Sequence, residues 1–260
     1  MKLITLAKRN FFLSRQYATF LAGAGFLCMV LLLIVNRPAA FGTYIHALQI
    51  AFAVACAAIL IGLLLSIGLI CEDYVMIRRE LMMGLSPSRI IFAKVINIII
   101  YCFVISIILI IPYRFDYFAP SYLRFWHLYV SVFFTMLTSA SLGLLVSAAC
   151  IIKPQIASLA VSIIMLFQIL FSGFLFDYSW VDISYTTISY YSIRTIGSGL
   201  GFHNLGFNAY AGHGTFGISP GHAVATLGML FLFSIVPIAI SILTLYLIRR
   251  KGWVIKLRPE

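Results

Sequence analysis

Four groups of residues in this chain have types and spacings that can do chemistry. Gly217-Ile218-Ser219-Pro220-Gly221 fits the G-x-S-x-G elbow of serine hydrolases, and His222 with Asp177 or Asp182 would complete a triad. That reaction takes an oxyanion donor from the N–H of the residue after the serine. Here that residue is Pro220, which has no N–H. Gly212-His213-Gly214-Thr215-Phe216-Gly217 fits G-x-G-x-x-G. Dinucleotide binding also requires a preceding strand, a following helix and a later acidic residue, and the sequence offers none of these here. The five histidines (His46, His127, His203, His213, His222) include no pair at metal-ligand helical spacing. The phosphate-binding pattern G-x-x-x-x-G-K-[ST] does not occur, so any ATP that drives this protein binds to another chain.

The fourth group is the densest. Cys71 to Lys94, CEDYVMIRRELMMGLSPSRIIFAK, holds Glu72, Asp73 and Glu80 with Arg78, Arg79, Arg89 and Lys94, between two apolar runs. Charge at that density does not enter hydrocarbon, so a helix here sits in water at one face of a membrane. Gly84 suits the left-handed residue that ends helices. Ser86 then caps the next helix, with Pro87 at its first position. The stretch therefore predicts a helix within residues 72–86, a sharp turn, and a new span.

The rest of the chain must hold this element. Of the 260 residues 63% are apolar and 10% charged, with mean hydropathy +1.08, which excludes a soluble domain. The net charge of +11 does not point to nucleic acid, because the basic residues flank apolar runs, as in membrane proteins. The five cysteines lie in or beside apolar runs without a C-x-x-C and read as small core residues.

About 20 apolar residues cross a bilayer. Apolar runs of that size, charge-free but for Lys94 near the start of the third, occupy 17–35, 45–71, 90–112, 125–152, 154–176 and 223–248, which predicts six spans with both termini on one side. On that side lie Lys2, Lys8, Arg9, Arg15, Arg78, Arg79, Arg89, Lys94, Lys153, Arg249, Arg250, Lys251, Lys256 and Arg258; only Arg37, Arg114, Arg124 and Arg194 lie opposite. By the positive-inside rule the termini and the charged hairpin are cytoplasmic, in a multi-pass protein of the plasma membrane. Residues 1–16 predict an interfacial helix with snorkelling Lys and Arg. A cleaved leader is the rival reading, but the run that follows is long enough to span and no A-x-A site follows it.

Small residues recur at helical spacing in two spans: Ala51, Ala55, Ala58, Gly62 and Ser66 in the second, Ser139, Gly143 and Ser147 in the fourth. Such stripes let helices approach closely, either within one subunit or along a dimer seam. Asn97 and Gln168 should face protein or a cavity, and Pro237 should kink the last span. The segment 177–221 is too long for a turn. Its TTISYYSIRTI half predicts a partly buried or re-entrant helix, and its second half, with eight glycines from Gly197 to Gly221, an irregular stretch.

Taken together, these blocks resemble the membrane subunit of type-2 ABC exporters, most closely the White-type half-transporter membrane domain and its bacterial relatives. The likeness rests on Glu72, Arg79, Glu80, Gly84, Leu85, Ser86, Pro87 and Lys94; on Leu142 to Ser147; and on Gln168 to Gly173 ahead of a long outer segment. It implies a single all-α integral membrane permease domain over 1–260: an interfacial helix, six transmembrane helices and a coupling helix between the second and third. It also implies a soluble ABC ATPase as partner, carrying ATP and Mg, and a second permease copy or paralogue. By the same resemblance no cofactor and no catalytic residue are expected on this chain itself. Glu72, Asp73, Met76, Arg78, Arg79, Glu80, Met83 and Gly84 would form the coupling element, with Met76 and Met83 in an ATPase groove and Arg78, Arg79 and Glu80 setting register by charge pairing. Ser66, Gln168, Phe171, Phe174 and Leu175 would line the path or its outer gate, and Ala55, Gly62, Ser139, Gly143 and Ser147 the packing or dimer seam. An apolar or amphipathic cargo would move outward by alternating access. Unlike fused members of that family, the chain carries no ATPase ahead of its spans, and its outer loop lacks a cysteine pair.

Three other classes compete. A secondary transporter would carry an intramembrane ionisable residue and internal repeats, and neither is visible. A membrane hydrolase needs Ser219 to act despite Pro220. A scaffold or sensor subunit would show no cargo-dependent ATPase activity.

Overall fold

The computed structural model describes residues 23, 44–71, 73–115, 122–151, 154–172, 185–199 and 220–250. The predicted interfacial helix, all of the first span but Gly23, Glu72, Phe174, Leu175 and most of 177–221 lie outside the described residues.

Seven helices follow in order: α1 Tyr44–Cys71, α2 Tyr74–Met82, α3 Pro87–Phe115, α4 Tyr122–Ala149, α5 Pro154–Leu170, α6 Ile188–Gly199 and α7 Pro220–Arg250. Among the described residues there is no strand. Stretches of α1, α3, α4 and α7 (Gln49–Cys71, Pro87–Ile111, Phe125–Ala149 and Val224–Ile248) are long and apolar enough to cross a membrane, so the chain is a helical membrane-spanning protein. Three helices open on proline, Pro87, Pro154 and Pro220, where the missing N–H is one the first turn would leave unpaired anyway.

The fifth apolar run differs from expectation. Its helix ends at Leu170 after 17 residues, about 25 Å at 1.5 Å per residue, short of the roughly 30 Å hydrocarbon layer. Beyond that end the Ser172 hydroxyl donates to Ile169 O at 2.9 Å, and the last turn is committed to α6, as described below.

α1 and α4 form the spine, and small residues bring them together. Gly62 meets Ser139, Ser66 meets Gly143 and Ile70 meets Ser147, with the sequence separation constant at 77 residues. A constant separation means that the two helices run in the same direction. The Ser147 hydroxyl accepts from the amides of both Ile70 and Cys71 at 3.1 Å, and the Cys71 thiol donates to Ser147 O at 3.1 Å. In lipid, where helix association gains little from the hydrophobic effect, close backbone approach and such hydrogen bonds supply the attraction. The two predicted stripes thus face each other inside one chain. Ala51, Ala55 and Ala58 continue the α1 face and are fully buried.

α7 also runs parallel to α4: Thr138 Oγ1 donates to Leu230 O at 3.1 Å, and the Ser141 hydroxyl has Phe233 O at 3.5 Å. Phe233 O is the carbonyl that Pro237, lying inside α7, cannot serve with an N–H. A hydroxyl on the neighbouring helix therefore stands where the ladder is broken. α3 runs the opposite way, its Phe103 ring edge-on to Tyr129 near the start of α4.

Candidate functional site

α2 stands between α1 and α3, and its ends are defined by backbone chemistry. At its end the Leu85 amide donates to Glu80 O (3.1 Å) and the Gly84 amide to Leu81 O (3.2 Å). Together these form a Schellman turn, with Gly84 at φ +86° in the left-handed position glycine favours. α3 then begins at Pro87, and the Arg89 amide donates to Ser86 O at 3.1 Å. The predicted stop and start therefore both stand. The helix itself is shorter than the 72–86 stretch that contains it, nine residues from Tyr74 to Met82.

At about 100° per residue, α2 divides into two faces. Ile77, Glu80 and Leu81 are buried, and Tyr74, Met76 and Arg78 are half-buried at the margins, with Arg78 Nε enclosed and unpaired. The outward arc carries Arg79 with Val75, Met82 and Met83, the last three 63%, 58% and 74% exposed. This corrects one expectation. Glu80 does not share the outward face with Arg79; it is 2% exposed and turned toward its own chain. One step along a helix rotates a side chain by about 100°, and here that step carries the chain from the outward Arg79 to the enclosed Glu80. Met83 does lie outward, Met76 sits at the edge, and Val75 and Met82 join the face unpredicted.

The corner is anchored to the bundle by an ion pair. Lys94, one turn into α3's buried part, reaches Asp73 at the head of α2. The lysine side chain is 4% exposed and the aspartate 38%, so the two ends differ in what they lose. Asp73→Ala strands a buried ammonium, and we expect it to destabilise the protein by roughly 2 kcal/mol. Lys94→Met leaves a carboxylate that water still reaches, and should cost less than half as much. Thermal unfolding of the two single variants checks the asymmetry; equal losses would show that the pair contributes only as surface charge.

Of the residues assigned to a path or gate, Ser66, Gln168 and Phe171 are among the described residues. Ser66 is fully buried, its hydroxyl directed to Gly62 O and Leu63 O at 3.1 and 3.2 Å and covered by Gly143. It is packing, with no face left to line a passage. Gln168 is 6% exposed and holds the start of α6. Its Oε1 accepts from the Ser189 amide at 3.1 Å, and its backbone carbonyl from the Ser189 hydroxyl at 2.7 Å. Thr187, just ahead of α6, donates to Phe171 O at 3.2 Å. An amide near the N-terminus of a buried helix has no intrahelical acceptor, and a glutamine from a neighbouring helix supplies one. Phe171 is half-buried, its ring 4.5 Å from that of Phe167.

α6 lies antiparallel to α4: Thr135 meets Ser192 at 3.0 Å, and His127 Nε2 lies 2.9 Å from Ser198 Oγ. Gly199 sits so close that a Cβ there would come within 3.0 Å of Leu128 Cα. Thus α6 begins beside Gln168 in the interior and ends beside the first turns of α4. Gln168→Leu removes the acceptor while keeping the bulk, and should cost about 1–3 kcal/mol. Hydrogen exchange should quicken over 188–199 and stay unchanged in α1; uniform slowing or no change would refute the capping role.

Among the described residues no three His, Cys, Asp or Glu side chains gather as a metal site. Compared with family models and with curated proteins, the chain matches none.

Proposed function

We propose that this chain is the membrane subunit of an ATP-driven exporter and that a separate soluble ATPase docks on the outward face of α2. The observation that carries the reading is the outward face of that helix. A solvated hairpin would turn its charges to water. α2 buries Ile77 and Leu81 as such a helix would, but it also encloses Glu80 and presents Val75, Met82 and Met83 around Arg79. An apolar patch with a single charge on a short helix suits a groove of a protein partner.

Rigidity supports the same reading. Work passes through an element only if the element does not yield. α2 is tied to α1 and α3 by the Asp73–Lys94 pair, the Schellman turn and the burial of Ile77 and Leu81. A push on α2 therefore reaches α1, and through the Gly62, Ser66 and Ser147 contacts it reaches α4. The excess of basic residues at this end of the bundle favours the cytoplasm for it, which is where ATP is. In this arrangement α6 is a re-entrant half-helix on the outer side, and six spans with two copies of the chain enclose the path of an apolar or amphipathic cargo.

Purification of the protein from its native membrane in mild detergent tests the reading. A co-purifying soluble chain that carries the G-x-x-x-x-G-K-[ST] pattern and hydrolyses ATP faster in the complex than alone is the expected result. A preparation with no such chain and no ATP turnover would leave the scaffold reading standing instead.

A further inference from the structure

Apart from one stripe, α6 is buried along its whole length. Tyr190, Arg194 and Ser198, spaced four residues apart, are its half-exposed positions. Arg194 lies with its guanidinium carbon 4.0 Å from the centre of the Tyr190 ring. Tyr185, 48% exposed, meets Tyr190 edge-on at 4.9 Å, and Tyr191 meets it edge-on at 5.4 Å. At the far end Ser198 is joined to His127. Arg194 Nε is enclosed without a hydrogen-bond partner, and among the described residues no carboxylate is paired with this guanidinium.

An arginine held among membrane helices is costly, and where one persists a counter-charge or ligand is expected. Stacking on Tyr190 satisfies the flat face of the guanidinium but leaves its N–H edge, which matches the oxygens of phosphate or carboxylate in paired fashion. Tyrosines beside it combine apolar rings with hydroxyl donors, as suits the boundary between a headgroup and its chains. We propose that Arg194, Tyr190 and Tyr185 form a receptor for the headgroup of an anionic phospholipid, one whose phosphate charge is not offset by a cation of its own. The stripe is open to a ligand along one side only, because the opposite side of α6 is closed by α4.

The site is separate from α2, and its binding can be measured without an ATPase, so it survives or falls independently of the exporter reading. The purified chain in a nonionic detergent is titrated with phosphatidylglycerol, phosphatidylcholine and inorganic phosphate, and bound lipid is counted by native mass spectrometry. The wild-type chain should retain phosphatidylglycerol at least tenfold more tightly than phosphatidylcholine. Arg194→Gln should lose that preference and Arg194→Lys keep part of it, since an ammonium keeps the charge but not the paired geometry. Tyr190→Leu should weaken binding severalfold, whereas Arg89→Gln, at the opposite end of the bundle, should change it less than twofold. Circular dichroism and size exclusion confirm that each variant is folded. An undiminished preference in Arg194→Gln would overturn the proposal. So would displacement of the lipid by inorganic phosphate at equal concentration, because the site would then bind a free anion rather than an amphiphile.

Discussion

Alanine in place of Gly62 or Gly143 is expected to destabilise the protein by about 3 kcal/mol, the upper part of the range for overpacking. A Cβ at Gly62 would lie 2.0 Å from Ser139 Oγ and 2.5 Å from Met136 O; one at Gly143 would lie 2.1 Å from Ser66 Oγ and 2.8 Å from Leu63 O. A serine hydroxyl can rotate away. A helix carbonyl cannot, so α1 and α4 would have to separate, weakening the hydrogen bonds from Ile70 and Cys71 to Ser147 as well. The rescue pattern follows from the same distances. Ser66→Ala should restore part of the loss in Gly143→Ala, because the remaining backbone contact is the milder one. Ser139→Ala should restore little in Gly62→Ala, where Met136 O still blocks the methyl. Gly228→Ala, with nothing within 4 Å of its added Cβ, is the control and should not lower the melting temperature. Melting curves in detergent decide the matter, and a loss at Gly228 equal to those at Gly62 and Gly143 would mean that the notches are not what holds the spine.

The second large effect concerns coupling rather than folding. Arg79 and Met83 are both exposed, and surface substitutions of this kind usually change stability by no more than about 0.5 kcal/mol. Arg79→Glu combined with Met83→Asp should therefore leave the melting temperature nearly unchanged. It should also cut cargo-stimulated ATP hydrolysis by the reconstituted complex at least tenfold, because the docking face would have reversed its charge and lost its apolar anchor. Glu80→Lys should behave differently. Its side chain is buried, so reversal there should lower expression and melting temperature whether or not an ATPase is present. Stimulated hydrolysis that survives the double substitution would move the docking surface off α2.

Much of this architecture is written in residue spacing. Gly62 and Ser66, like Ser139, Gly143 and Ser147, recur every four residues, and that period is a physical property of helices packing at short range. Gly84 followed by Ser86-Pro87 specifies a stop and a start through backbone geometry alone. The TTISYYSIRTI segment reads as a buried helix because its hydroxyls can return to their own backbone, as Ser192 does to Ile188 O at 2.8 Å.

What the sequence leaves open depends on tertiary contacts. The rotational phase of α2 is set by which side α1 and α3 cover, so the burial of Glu80 is not visible in a nine-residue run of alternating character. The Asp73–Lys94 pair spans 21 residues and exists only because the turn folds α3 back. Gln168 reads only as a polar group that must face protein or a cavity, because nothing in the sequence says that the start of another helix will meet it.

The most direct test of the central claim is a photo-crosslinking amino acid placed at Met83, the exposed residue that follows α2 directly, and activated in living cells. The account predicts one crosslinked product, containing a soluble chain with an ATP-binding loop, which is lost when Arg79→Glu is added. The same probe at Leu159, on the apolar outer face of α5, should capture no ATPase. If position 83 crosslinks to lipid alone, or is modified by a membrane-impermeant reagent from outside intact cells, α2 does not face an ATPase and the account is contradicted.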